Sequence, residues 1–169
     1  MTTPYTEANL QLDGNGRPIQ GIYPFVAKKS ITFAGATADA WGNDGGALDG
    51  GTVFTVTGAV KLIVFGKCSV NLAGGATLEM GITGATAIFL PQTTDTDVDA
   101  GDIWLNNATP VAYYIAGAES DAAGNLPEYI LNGQDIILTV SGGTDTTAGQ
   151  VDFYAHWLPL SSDDNVVAA

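Results

Sequence analysis

Residues 94–102, TDTDVDAGD, hold the densest set of side chains able to do chemistry. Asp95, Asp97 and Asp99 stand at alternate positions, with Asp102 close behind. Extended backbone puts alternate residues on one face, so the three carboxylates are expected together, and a cation would damp their repulsion. The pattern resembles the start of a calcium loop. An EF-hand loop needs glycine at its sixth position and glutamate at its twelfth. Here Ala100 is sixth, Gly101 comes one late, and Asn106 is twelfth. The plainer reading is a solvated acidic loop with no cofactor.

His156 is the only histidine and Cys68 the only cysteine. A catalytic triad or a metal cluster needs partners that these two residues lack in the sequence. No G-x-S-x-G elbow, P-loop or paired-cysteine motif occurs. Glu79 and Glu128 fall on separate elements, and nothing links them as a hydrolytic pair. The expectation is a protein that is not an enzyme. Rings are the remaining resource. Trp41, in a glycine-rich loop, reads as an anchor on a partner or a lid over the core. Trp104, Tyr113 and Tyr114 are candidates with it for a sugar platform, against the plainer reading that buried rings are core.

The element that must position His156 is residues 150–160, QVDFYAHWLPL. Strand alternation sends Val151, Phe153, Ala155 and Trp157 to one side and Asp152, Tyr154, His156 and Leu158 to the other. The first side reads as core. The second reads as a face for a neighbouring subunit, with Tyr154, His156 and Leu158 as its contacts. An interface histidine would make assembly sensitive to pH. Pro159 ends the ladder because it has no N–H.

The rest of the chain supplies about nine short strands between turn signals. Residues 1–29 read as an extended arm, broken by Pro4, Pro18 and Pro24. Residues 30–160 read as one domain and residues 161–169 as a tail, held only if Val166 and Val167 find a groove. Residues 59–65 are apolar on both faces, which predicts a doubly covered central strand. Residues 67–72 and 77–83, joined at Gly74-Gly75, predict a hairpin. A strand at 87–90 is expected to stop at Pro91, and residues 117–133 to form a loop. The fold class expected is all-β, a single antiparallel β-sandwich with a jelly-roll connection plausible and a barrel as its competitor.

Composition agrees. With 46% hydrophobic and 14% charged residues the chain is globular, and its 22 glycines disfavour helices. The net charge of −13 is unevenly placed. All five basic residues lie at positions 1–67, and positions 68–169 carry thirteen acids. Nucleic acid is therefore an unsuitable partner, since phosphates need cations. No apolar run spans a membrane and the N-terminus lacks signal-peptide features, so a soluble protein made in a cytoplasm is expected.

The ending FYAHWLPLSSDDNVVAA resembles the C-termini of small β-structured virion proteins of tailed bacteriophages. There an aromatic W-x-P-L-S strand runs into a short polar tail. The start, DGNGRPIQGIYPF, is similar to the arm of such a protein. The resemblance implies a capsid decoration (cement) protein, jelly-roll-like and trimeric, seated on the major capsid protein at the virion surface. It transfers no active site. On this view Ile19, Ile22, Tyr23 and Phe25 of the arm, with Trp41, attach to the capsid. The alternative is a carbohydrate- or receptor-binding sandwich of a tail fibre or baseplate.

Overall fold

The computed structural model describes residues 25–106, 111–112 and 126–169. Eleven strands are present among them: β1 (Phe25–Thr32), β2 (Gly51–Thr57), β3 (Ala59–Ala73), β4 (Thr77–Ile82), β5 (Ala85–Thr94), β6 (Asp102–Trp104), β7 (Val111–Ala112), β8 (Tyr129–Asn132), β9 (Ile136–Ser141), β10 (Ala148–Pro159) and β11 (Asn165–Ala168). They form two antiparallel sheets and no barrel, as the β-sandwich reading expects. The first sheet runs β1-β10-β3-β6-β7, with β8 also on β3. The second runs β11-β2-β9-β4-β5.

The core lies between the sheets and follows from the alternation. Val151, Phe153, Ala155 and Trp157 of β10 are buried, beside Val60, Leu62, Val64 and Cys68 of β3. Phe54, Leu78, Met80, Ile136 and Leu138 come from the second sheet. Burying each large side chain contributes about 1.5–3 kcal/mol.

Three local expectations are corrected. Residues 59–65 and 67–72 are one strand, because Gly66 continues β3 rather than breaking it. A Cβ at Gly66 would crowd Val151 and the Phe153 ring at 3.1–3.2 Å, so the glycine makes room for core packing. Gly74-Gly75 makes no hairpin: it carries the chain from β3, in the first sheet, to β4, in the second. Gly74 has φ +148°, and a side chain there would collide with the Asp145 carbonyl. The hairpin is β4–β5, with Ile82 opposite Ala85. Finally, β5 runs through Pro91. It is an edge strand, where a missing N–H costs no ladder bond.

The termini of the expected domain also shift. β1 begins at Phe25, inside the stretch read as arm, and pairs with β10 over its whole length, from Phe25 opposite Trp157 to Thr32 opposite Gln150. The tail contains β11, paired with β2, with Val166 buried and Val167 exposed. β8 lies within the stretch 117–133 that was expected to be loop.

Candidate functional site

The outward side chains of β10 are Asp152, Tyr154, His156 and Leu158, all half-buried. The register places their neighbours. Lys28 lies opposite Tyr154 on β1 and Phe65 opposite it on β3. Val26 and Ile63 flank His156 in the same way, and Lys61 lies opposite Leu158. Ile130 of β8 extends the row beyond Lys61.

The rings make contact across the strands. Phe65 stacks on Tyr154 at 5.1 Å between centroids and 15° between planes, and it lies 5.4 Å from the His156 ring. Val26 and Ile130 are 54% and 69% exposed, so the face is open at both flanks. Residues 59–65 were expected to be covered on both faces, yet Ile63 and Phe65 are only half-buried. No described element packs over them.

Ion pairs frame this apolar patch. Lys28 Nζ lies 2.8 Å from Asp152 Oδ2 and 5.4 Å from the centre of the Tyr154 ring. Ser30 Oγ donates to Asp152 Oδ1 at 2.5 Å. The hydrogen bond from Lys28, then that from Ser30, hold the Asp152 carboxyl below its usual range, and the hydrogen bond to Asp152 raises Lys28. At the opposite corner Lys61 Nζ is 2.5 Å from Glu128 Oε2. Among the described residues no cluster of metal-ligating side chains forms around His156, and burial alone lowers its pKa, favouring the neutral ring.

The aspartate loop is not a shared carboxylate face. Residues Asp95–Asp97 form a single 3-10 turn, which breaks the strand period that would have aligned them. Asp95 is fully buried and accepts from Gly75 N at 2.8 Å and Ala76 N at 3.2 Å. Asp97 is exposed, Asp99 Oδ1 accepts from Asn71 Nδ2, and Asp102 Oδ2 accepts from Asp99 N. Among the described residues no three ligating side chains gather as a metal site.

Other carboxylates are likewise spent on backbone. Asp49 accepts from Val140 N and Gly45 N, Asp135 from Val56 N, and Asp145 from Asp44 N. Asp164 takes amides from Ala59, Leu160 and Ser161 and the Ser161 hydroxyl. Burial pushes the Asp164 carboxyl up, and these hydrogen bonds outweigh it and hold the group low. Much of the acidity thus satisfies loop N–H groups that would otherwise be orphaned.

The expected capsid contacts divide. Phe25 stacks on Trp157 at 4.8 Å and packs against the core of its own subunit. Trp41 is half-buried and also packs against that core, with its ring tip against Gly51, which fits the reading as a lid. Ile19, Ile22 and Tyr23 lie outside the described residues. Trp104 is fully buried, which removes it from a sugar platform, and Tyr113 and Tyr114 lie outside the described residues. Cys68 is buried, and burial pushes its thiol up to about 11, so it is a poor nucleophile.

Sequence reasoning missed Val26, Ile63, Phe65 and Ile130 as members of this face. The signal was the apolar outer side of residues 59–65, which was attributed to cover from a second layer. Compared with known proteins, the chain matches no family model, no curated protein and no solved structure.

Proposed function

We propose that this chain is a non-catalytic structural protein of a bacteriophage virion. It binds the outside of the capsid, associates with itself through the outer face of the first sheet, and clamps neighbouring capsid subunits. The major capsid protein is its partner, and the virion surface, reached from the host cytoplasm, is its place. The observation that carries the reading is the half-buried Phe65–Tyr154–His156 ring cluster between the exposed Val26 and Ile130. An apolar patch of this kind on a strongly acidic molecule marks an interaction surface. The outer side of the second sheet is mostly polar, with Thr55, Thr57, Thr77, Glu79, Thr139 and Ser141, and carries Ile137 and Val167 among them with no cluster of rings.

The connectivity supports a jelly roll. Successive strands cross between sheets at β1–β2, β2–β3, β3–β4, β5–β6, β8–β9, β9–β10 and β10–β11. Many copies held by modest contacts would resist internal pressure through multivalency. The resemblance at the two chain ends adds the trimeric assembly to the proposal.

A second reading rests on one observation, the stacked and half-exposed Phe65 and Tyr154, which offer flat faces to a sugar. That reading makes the chain a glycan- or receptor-binding module of a tail fibre or baseplate. Mixing the purified chain with heads assembled without it, then sedimenting them, separates the two. Decoration predicts that the folded chain pellets with heads and stays silent on a glycan array. A folded chain that remains in the supernatant overturns it.

A further inference from the structure

We propose that β11 is a strap that opens as a unit while the rest of the sandwich stays folded, and that the Asp164 carboxylate is the latch that holds it shut. The strap opens or stays shut whatever the outer face of the first sheet binds.

Side-chain burial holds β11 weakly. The strand ends the second sheet, where it pairs with β2 and with no other described strand. Of residues 165–169, Val166 alone reaches the core, Asn165 is half-buried, and 167–169 are exposed. By contrast, β9 buries every second residue, and β10 does so along most of its length. A segment with so few buried apolar contacts opens at a lower free energy than the core.

The latch supplies what burial does not. Asp164 is itself buried, at the entry to the strap. Its Oδ1 accepts from Ala59 N at 2.9 Å and from Ser161 Oγ at 2.9 Å, and its Oδ2 from Leu160 N at 3.0 Å and Ser161 N at 2.5 Å. Ala59 follows the turn between β2 and β3, and the other donors belong to the connection between β10 and β11. One carboxylate thus pins that connection to that turn with charge-assisted bonds, which are stronger than neutral ones. Gly58 makes the room: it has φ +68°, and a Cβ there would lie 1.9 Å from Asp164 Oδ1.

The far end of the strap is fastened separately. Ala169 N donates to Val53 O at 3.0 Å, and Lys29 Nζ donates to Ala169 O. Lys29 falls on the same side of β1 as the buried Ala27 and Ile31, so its side chain emerges at the margin between the sheets and meets the strap there. Residues 165–169 therefore join the edge of the first sheet to that of the second. Opening frees both ends and turns β2 into the edge strand of the second sheet, with the main-chain groups that faced β11 unpaired.

The test is native-state hydrogen exchange of the full chain, read residue by residue by NMR in water and in low urea. The Ala59, Ser161 and Ala169 amides should share one opening and exchange about tenfold or more faster than the amides of 153–157 in β10. They should hardly respond to low urea, because the opening exposes little surface. Asp164→Asn should quicken all three by about tenfold, and Ser161→Ala, which removes only the hydroxyl donor, should do so to a lesser degree. Val64→Ala, in the core of the first sheet, should quicken the β10 amides and leave the Ala169 amide unchanged. The proposal is overturned if the Ala169 amide keeps pace with β10 in urea, or if Val64→Ala quickens both alike. It is equally overturned if the Asp164 and Ser161 variants quicken Ala59 and Ser161 but not Ala169, since the carboxylate then clasps a loop and latches no strand.

Discussion

Asp95 makes the sharpest stability prediction. Its carboxylate is fully buried and takes Gly75 N at 2.8 and 3.1 Å and Ala76 N at 3.2 Å, where the chain passes from β3 to β4. Asp95→Ala leaves two amides without their acceptor, Ala76 N in a buried residue and Gly75 N in an exposed one. Each orphaned amide costs about 1–3 kcal/mol. Removing a buried charge returns part of that loss. The net is about 2–4 kcal/mol, which for a chain of this size lowers Tm by roughly 5–15 °C. Asp95→Asn keeps one carbonyl acceptor and should fall between. Thermal unfolding followed by circular dichroism reads all three proteins. An Asp95→Ala Tm within about 2 °C of the parent refutes the reasoning. A calcium-dependent rise in Tm that vanishes with Asp95 would refute it differently, by returning the loop to a metal site.

Three further outcomes follow from the same structure. His156 has its pKa lowered by burial, so the folded chain prefers the neutral ring. Stability and association should be full above the unfolded pKa of about 6.5 and fall as the pH drops below it, and His156→Ala should flatten that dependence across pH 5–8. Asp164 is held low by hydrogen bonds from the Ser161, Ala59 and Leu160 segments. Its contribution should be present above the usual carboxylate range and lost as the pH falls through its lowered pKa, and Asp164→Asn should melt earlier at neutral pH and lose that part of the acid dependence. Cys68, buried with its thiol near 11, should not react with a disulfide reagent at neutral pH until denaturant is added.

The strand alternation of β10 was legible because period two needs no tertiary information. Val151, Phe153, Ala155 and Trp157 are core, and Tyr154 and His156 are not. What local pattern could not reveal was which sheet each strand joins. Gly74-Gly75 has the chemistry of a tight hairpin turn, yet it links the two sheets, because the Asp95 carboxylate and the Asp145 carbonyl pack against it. Asp95 reads as a surface carboxylate until the fold supplies the amides that face it. Phe65 and Ile63 read as doubly covered because an apolar outer face looks the same in sequence whether a layer of the same chain or another molecule covers it. Pro91 misled for a related reason: a proline stops a central strand and not an edge strand, and edge position is a property of the whole sheet.

The central claim is that adhesion resides in the outer face of the first sheet. Sedimentation of heads with two matched variants tests it. One carries Val26→Glu and Ile130→Glu on that face, and the other carries Thr55→Glu and Thr57→Glu on the outer face of the second sheet. The account predicts that the first loses most of its occupancy on heads while the second binds like the parent. Equal binding by both, or loss by the threonine variant alone, contradicts it.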